Sequence, residues 1–198
     1  MANYVNILGL LQLLCYHDIE QFRIRLVEED YMNKYDDIEF NKIIQPILNN
    51  KEFLKTQRIA HHNTTRFDHS LRVAYYTYKV AKALRLEYRD TTEAALLHDF
   101  FIDDVKNENF VMRLRKHPSC AVNNSLKFFD LNEKQIDIIK THMFPITFTP
   151  PKYLESWLVN LVDDVSAIYE KGYSVRTEFS AAMTFMFLLI LSILKIEL

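Results

Sequence analysis

The stretch Thr92-Glu93-Ala94-Ala95-Leu96-Leu97-His98-Asp99-Phe100-Phe101 carries the most information in this chain. Small and branched apolar residues run through it at helical density, so it reads as a buried helix. It then ends on an imidazole and a carboxylate and returns at once to apolar Phe100-Phe101-Ile102. An unpaired carboxylate inside a core is costly, so Asp99 needs a hydrogen-bonded partner or a metal.

Two further segments share the feature. Asp68 to Leu84 has His69, Val73, Tyr76, Val80 and Leu84 at intervals of three and four. This predicts one helix with Asp68 as its cap and His69 on the inward face beside Val73 and Tyr76. Asp163 interrupts Leu158, Val159, Leu161 and Val162 in a long helix expected over Leu154 to Tyr169, with Gly172 placed to end it. A single inward histidine is more often a hydrogen-bonded core residue than a ligand, and an Asp near a helix end is usually a cap. The joint pattern argues otherwise, because imidazoles and carboxylates converging on one core form a ligand set for a transition metal.

Composition supports a helical chain. The 198 residues carry a net charge of -2, five prolines and only two glycines, Gly9 and Gly172. No glycine-rich phosphate loop, dinucleotide fingerprint or series of tight hairpins can be built from them. A chain of this length is expected to form one domain with an appendage. Near-neutral charge gives no reason to expect a nucleic-acid polymer or an anionic membrane as partner. Cys15 and Cys120 are too far apart for a disulfide framework, so a reducing cytoplasm is the expected location. The apolar stretch Val5 to Cys15 lacks the flanks of a secretory signal.

Working outward, Ile7 to Leu14 predicts a helix, as do Ile38, Ile43, Ile44 and Ile47, with the acidic break Glu28-Glu29-Asp30 between them. Arg58 to Thr65 reads as a loop. The basic cluster Arg113, Arg115, Lys116 leads to His117-Pro118, where Pro suits the start of a helix through Phe129. Asn132 is placed to cap another, with Ile136, Ile139 and Met143 on one side, and Pro145, Pro150 and Pro151 break the chain after it. In the tail, Ala181 to Leu194 would span about 21 Å as a helix, short of a roughly 30 Å hydrocarbon layer. It reads as a core or dimer-interface helix, giving a homodimer through this segment, with a membrane-associated tail as the alternative.

The order His69, His98-Asp99, Asp163 on an all-helical chain resembles the HD-domain superfamily of metal-dependent phosphohydrolases. The local contexts agree: Asp68-His69-Ser70-Leu71-Arg72-Val73, Ala95-Leu96-Leu97-His98-Asp99 and Leu161-Val162-Asp163. Within that superfamily the chain is most similar to a group of bacterial HD-domain proteins of unassigned activity. They share a His-rich loop (here His61-His62-Asn63-Thr64-Thr65), His-Asp-Phe-Phe (His98 to Phe101) and His-Pro (His117-Pro118). They also share His-Met-aromatic-Pro (His142 to Pro145) and Pro-x-Tyr-x-Glu-Ser (Pro151 to Ser156).

The resemblance implies an all-α HD-domain bundle over 58–172, an N-terminal helical extension over 1–57 packed on the core, and a C-terminal apolar helix over 173–198. It implies that His69, His98, Asp99 and Asp163 bind one metal, and that His117, His142 and a bridging Asp99 bind a second, with Asp99 the catalytic centre of the site. One or two divalent transition-metal ions are expected; Mn, Fe, Co, Ni or Zn suit imidazole ligands better than Mg does. The implied reaction is hydrolysis of a phosphoester in a nucleotide or related small molecule, with His61, Arg72 and Lys116 as candidate substrate contacts. Two alternatives stand beside it. The same ligand pattern resembles HD-type di-iron oxygenases, and a non-catalytic HD module would serve as a ligand-binding domain. Many HD phosphohydrolases have Gly-Lys after the His-Asp pair and Lys after the last Asp; here Phe101-Ile102 and Asp164 make the pocket less cationic.

Overall fold

The computed structural model describes residues 35–61, 64–102 and 109–171. The expectations for the N-terminal helix at Ile7 to Leu14, the Gly172 cap and the apolar tail lie outside the described residues.

The chain divides into two compact units, residues 1–41 and 42–198. In the first, the Asp37 carboxylate accepts from the backbone N–H of Glu39 and Phe40, opening helix α1 (Ile38–Leu48), which continues into the second unit. Asn41 donates to the Tyr35 carbonyl at 3.1 Å, and the Tyr35 and Phe40 rings meet edge to face.

Among its described residues the second unit is all-α apart from one small ribbon. After α1 comes a short α2 (Lys51–Leu54), capped by Asn50, and a 3-10 turn (Lys55–Arg58). Then follow the strands β1 (Ala60–His61) and β2 (Thr64–Thr65), paired antiparallel with Ala60 opposite Thr65. Where a loop is expected over Arg58 to Thr65, its two ends therefore hydrogen-bond to each other. The remaining helices are α3 (Arg66–Ala83), α4 (Tyr88–Leu97), α5 (Phe110–Ser125), α6 (Glu133–Thr141) and α7 (Leu154–Lys171). Helix α3 packs on α4 and α7, α4 on α6, and α6 on α5 and α7, which closes a bundle.

Three local expectations need correction. Thr65, not Asp68, caps α3: its hydroxyl accepts the Asp68 N–H at 3.1 Å and donates to the Asp68 carboxylate at 2.6 Å. The buried stripe of α3 runs through Phe67, Leu71, Ala74, Tyr78 and Ala81 as well as His69 and Val73, because α4 and α7 cover it from two sides. Tyr76, Val80 and Leu84 are consequently exposed, so the inward face is rotated from the one their spacing suggests. Pro118 does not open a helix; it lies inside α5, whose cap is Asn109, accepting the Met112 N–H at 2.9 Å. A capping side chain nine residues earlier outweighs proline's preference for the first turn.

Apolar packing fixes where the pivotal stretch sits. Ala94, Ala95, Leu96 and Leu97 are all buried, the alanines permitting close approach of α3 and α4. Phe100 anchors the chain just beyond, its ring 5.4 Å from Phe53 and 6.0 Å from Phe128. Among the described residues, no helix is long and apolar enough to cross a membrane.

Asn132 forms a full capping box with Gln135 at the start of α6, and the same two side chains reach Asp90 and Glu93 of α4. Asn132→Ala should cost about 1 kcal/mol in denaturant unfolding, with Asn132→Ser retaining most of the stability. An unchanged midpoint for the alanine variant would contradict the box.

Candidate metal centre

Five helices each bring a polar group to one buried spot. His69 sits in the first turn of α3, His98 at the C-cap of α4 with Asp99 following, His117 within α5, His142 at the C-cap of α6 and Asp163 within α7. None of the six is more than 8% exposed. Their donor atoms form three overlapping triads, His69–His98–Asp99, His98–His142–Asp163 and Asp99–His117–His142, and within each triad all lie within 4.8 Å of one another.

The two ends of this cluster differ. At one end a single Asp163 oxygen stands 2.8 Å from His69 Nε2 and 3.5 Å from His98 Nε2. At the other, Asp99 Oδ1 lies 3.4 Å from His117 Nε2 and 3.8 Å from His142 Nε2. Asp99 Oδ2 turns back to His98, 4.0 Å away. The Asp99 carboxylate therefore has one oxygen toward each end.

Hydrogen bonds set the tautomers. His98 Nδ1 faces the Ala95 carbonyl at 2.7 Å and His142 Nδ1 the Ile139 carbonyl at 2.8 Å. A carbonyl only accepts, so each Nδ1 carries a proton and donates it, which points the other ring nitrogen into the cluster. That is the arrangement ligating histidines take.

Electrostatics favour a cation here. Burial opposes charging of His69, but its hydrogen bonds to Asp163 and Glu170 outweigh this and push its pKa up to about 10. Burial likewise opposes charge on His98, and the fields of Asp163 and Asp99 raise it nonetheless. Burial would raise the Asp163 carboxyl; the adjacent His98 and the hydrogen bond from His69 hold it well below the usual carboxylate range. His142 is driven the other way, to about 3, by burial and by its neighbours His117 and His98, so it stays neutral. Both α4 and α6 end here, and helix C-termini carry partial negative charge. Asp99 thus sits where a carboxylate is disfavoured unless a cation accompanies it.

The cluster fits a divalent ion on two observations. Buried His98 Nε2 faces two carboxylates without making a hydrogen bond. The Nε2 atoms of His117 and His142 are 2.9 Å apart, close to the roughly 3 Å between two imidazoles at right angles around one ion with bonds of about 2.1 Å.

Of the candidate substrate contacts, Lys116 is exposed beside His117 and His61 ends β1. The Arg72 guanidinium pairs with Glu170 of α7, whose carboxylate also lies 3.0 Å from His69 Nδ1.

Three residues were missed by the sequence reading. Glu170 shares a face of α7 with Asp163, seven residues earlier, and that spacing is the signal that could have found it. Asn160 has no such signal: buried in α7, it donates to the carbonyls of His142 and Phe144 and holds the segment after α6. Arg66 lies with its guanidinium 3.6 Å from the Phe101 ring centroid and donates to the Phe101 carbonyl. The Phe101 ring in turn stands 5.4 Å from that of His117. A cation from α3 thus stands beside Phe101, two residues after Asp99.

A model of the HD domain matches residues 66–168, just over half of the chain, so the chain belongs to the HD-domain family. Searches of curated proteins and of solved structures found no match.

Asn160→Ala should destabilise the fold by about 1–3 kcal/mol, because a buried and a part-buried carbonyl lose their donor. Asn160→Asp should cost more, since it sets a carboxylate against the same carbonyls. Thermal or denaturant unfolding would read the order; equal stability of all three proteins would contradict it.

Proposed function

We propose that the chain is a metal-dependent phosphohydrolase acting on a phosphoester of a nucleotide or related small molecule. The observation that carries the reading is the convergence of four imidazoles and two carboxylates from five helices on one buried point. His69, His98, Asp99 and Asp163 would hold one divalent ion, and His117, His142 and Asp99 a second. When bound, such ions lower the pKa of a coordinated water and neutralise charge developing on phosphate oxygens.

The protein's own part is positioning. Backbone carbonyls fix the His98 and His142 rings, and Asp99 presents one oxygen to each end of the cluster. Leu96, Leu97 and Phe100, which flank His98 and Asp99 in the chain, are buried in the core. We infer that substrate enters on the His117 side. There, Lys116 and, behind Phe101, Arg66 supply positive charge for an anionic group. His61, which ends the ribbon leading into α3, is proposed as a further contact. The HD domain is proposed to extend over 58–172, in a protein working in a reducing cytoplasm.

Metal analysis with a phosphate-release screen over nucleotides and sugar phosphates, in Mn²⁺, tests the reading. Asp99→Ala should lose bound metal and reduce activity at least about a hundredfold together, since it serves both positions. His142→Ala should bind one ion fewer. Unchanged stoichiometry in His142→Ala would remove the second position. Oxygen consumption with a di-iron EPR signal, in place of phosphate release, would transfer the site to oxygenase chemistry.

A further inference from the structure

The rings of His69, His98 and His142 are not held alike at Nδ1. His98 and His142 each give Nδ1–H to a neutral backbone carbonyl three residues earlier in the chain. His69 instead directs Nδ1 to a carboxylate, Glu170 Oε1, at 3.0 Å, while its Nε2 faces Asp163. The Glu170 side chain is only 3% exposed, and Arg72, one turn along α3 from His69, pairs with the same oxygen. A guanidinium, a carboxylate and an imidazole therefore stand in line behind one end of the cluster. Glu170 lies two residues past the span matched by the HD-domain model.

We propose that Glu170, held by Arg72, is a positioning residue that orients the His69 ring and strengthens it as a ligand for the metal position at that end of the cluster. This rests on the metal-centre reading above. A carboxylate accepting the far N–H of an imidazole fixes its tautomer and raises the basicity of the ligating nitrogen, which a neutral carbonyl does less strongly. Arg72 pairs with the same carboxylate oxygen and holds it turned toward the ring.

Calorimetric titration of chelator-treated protein with Zn²⁺ tests this. Glu170→Gln keeps the shape and removes the charge, and it should weaken one binding step roughly 10–100-fold while leaving the other unchanged. The double variant R72Q/E170Q leaves no stranded guanidinium and should show the same selective loss, which covers the case in which the single variant folds poorly. In Zn²⁺-loaded protein, the His69 Nδ1–H resonance should shift in Glu170→Gln while those of His98 and His142 stay in place. A purely structural ion pair would not move that one signal. Wild-type steps in both variants, or equal weakening of both steps, would overturn the proposal alone. A wild-type chain that takes up no metal would overturn the metal-centre reading and this proposal with it.

Discussion

Four imidazoles and two carboxylates occupy a space that the rest of the bundle treats as core, and the arrangement depends on their balancing one another's charge. An isolated ion there would cost several kcal/mol, and a carboxylate next to a helix C-terminus is worse placed still. The protein meets this by pairing Asp163 with His69 and His98, and by setting Asp99 among His98, His117 and His142. These pairings tie α3, α4, α5, α6 and α7 to one centre. A divalent ion would serve the same balance, drawing the ring nitrogens around itself in place of protons.

The helices are built to deliver this cluster. His98 and His142 are both C-cap residues, so each ring folds back on its own last turn and uses a free carbonyl there as a hydrogen-bond acceptor. That satisfies a carbonyl the helix leaves unpaired and aims Nε2 into the cluster in a single step. Around them, Phe100 and its ring contacts hold the segment after Asp99, and Asp137 accepts from Lys152 N–H and the Ser156 hydroxyl to bind α6 to the start of α7.

Much of this was legible in the sequence. An Ala-Ala-Leu-Leu run ending in His-Asp cannot be an ordinary surface helix, and the inward positions of His69 and Asp163 follow from apolar spacing. The HD-domain match over residues 66–168 spans those same contexts. What stayed hidden depends on packing between elements distant in the chain. The exposure of Tyr76, Val80 and Leu84 follows from two helices covering α3, which a one-dimensional pattern cannot specify. Pro118 within α5 reflects competition between a cap at Asn109 and proline's own preference, and local propensity alone chose wrongly. Glu170 meets His69 across 101 residues, and Arg66 meets Phe101 across 35. Only folding brings those pairs together.

The central claim is that the six groups are metal ligands. Anomalous X-ray diffraction from crystals soaked in Mn²⁺ or Zn²⁺ measures this most directly. The account predicts anomalous peaks within about 2.0–2.3 Å of the imidazole nitrogens and carboxylate oxygens of His69, His98, Asp99 and Asp163, and of His117 and His142. A cluster that stays free of anomalous density at saturating metal, with its side chains hydrogen-bonded to one another as in the metal-free chain, would contradict it.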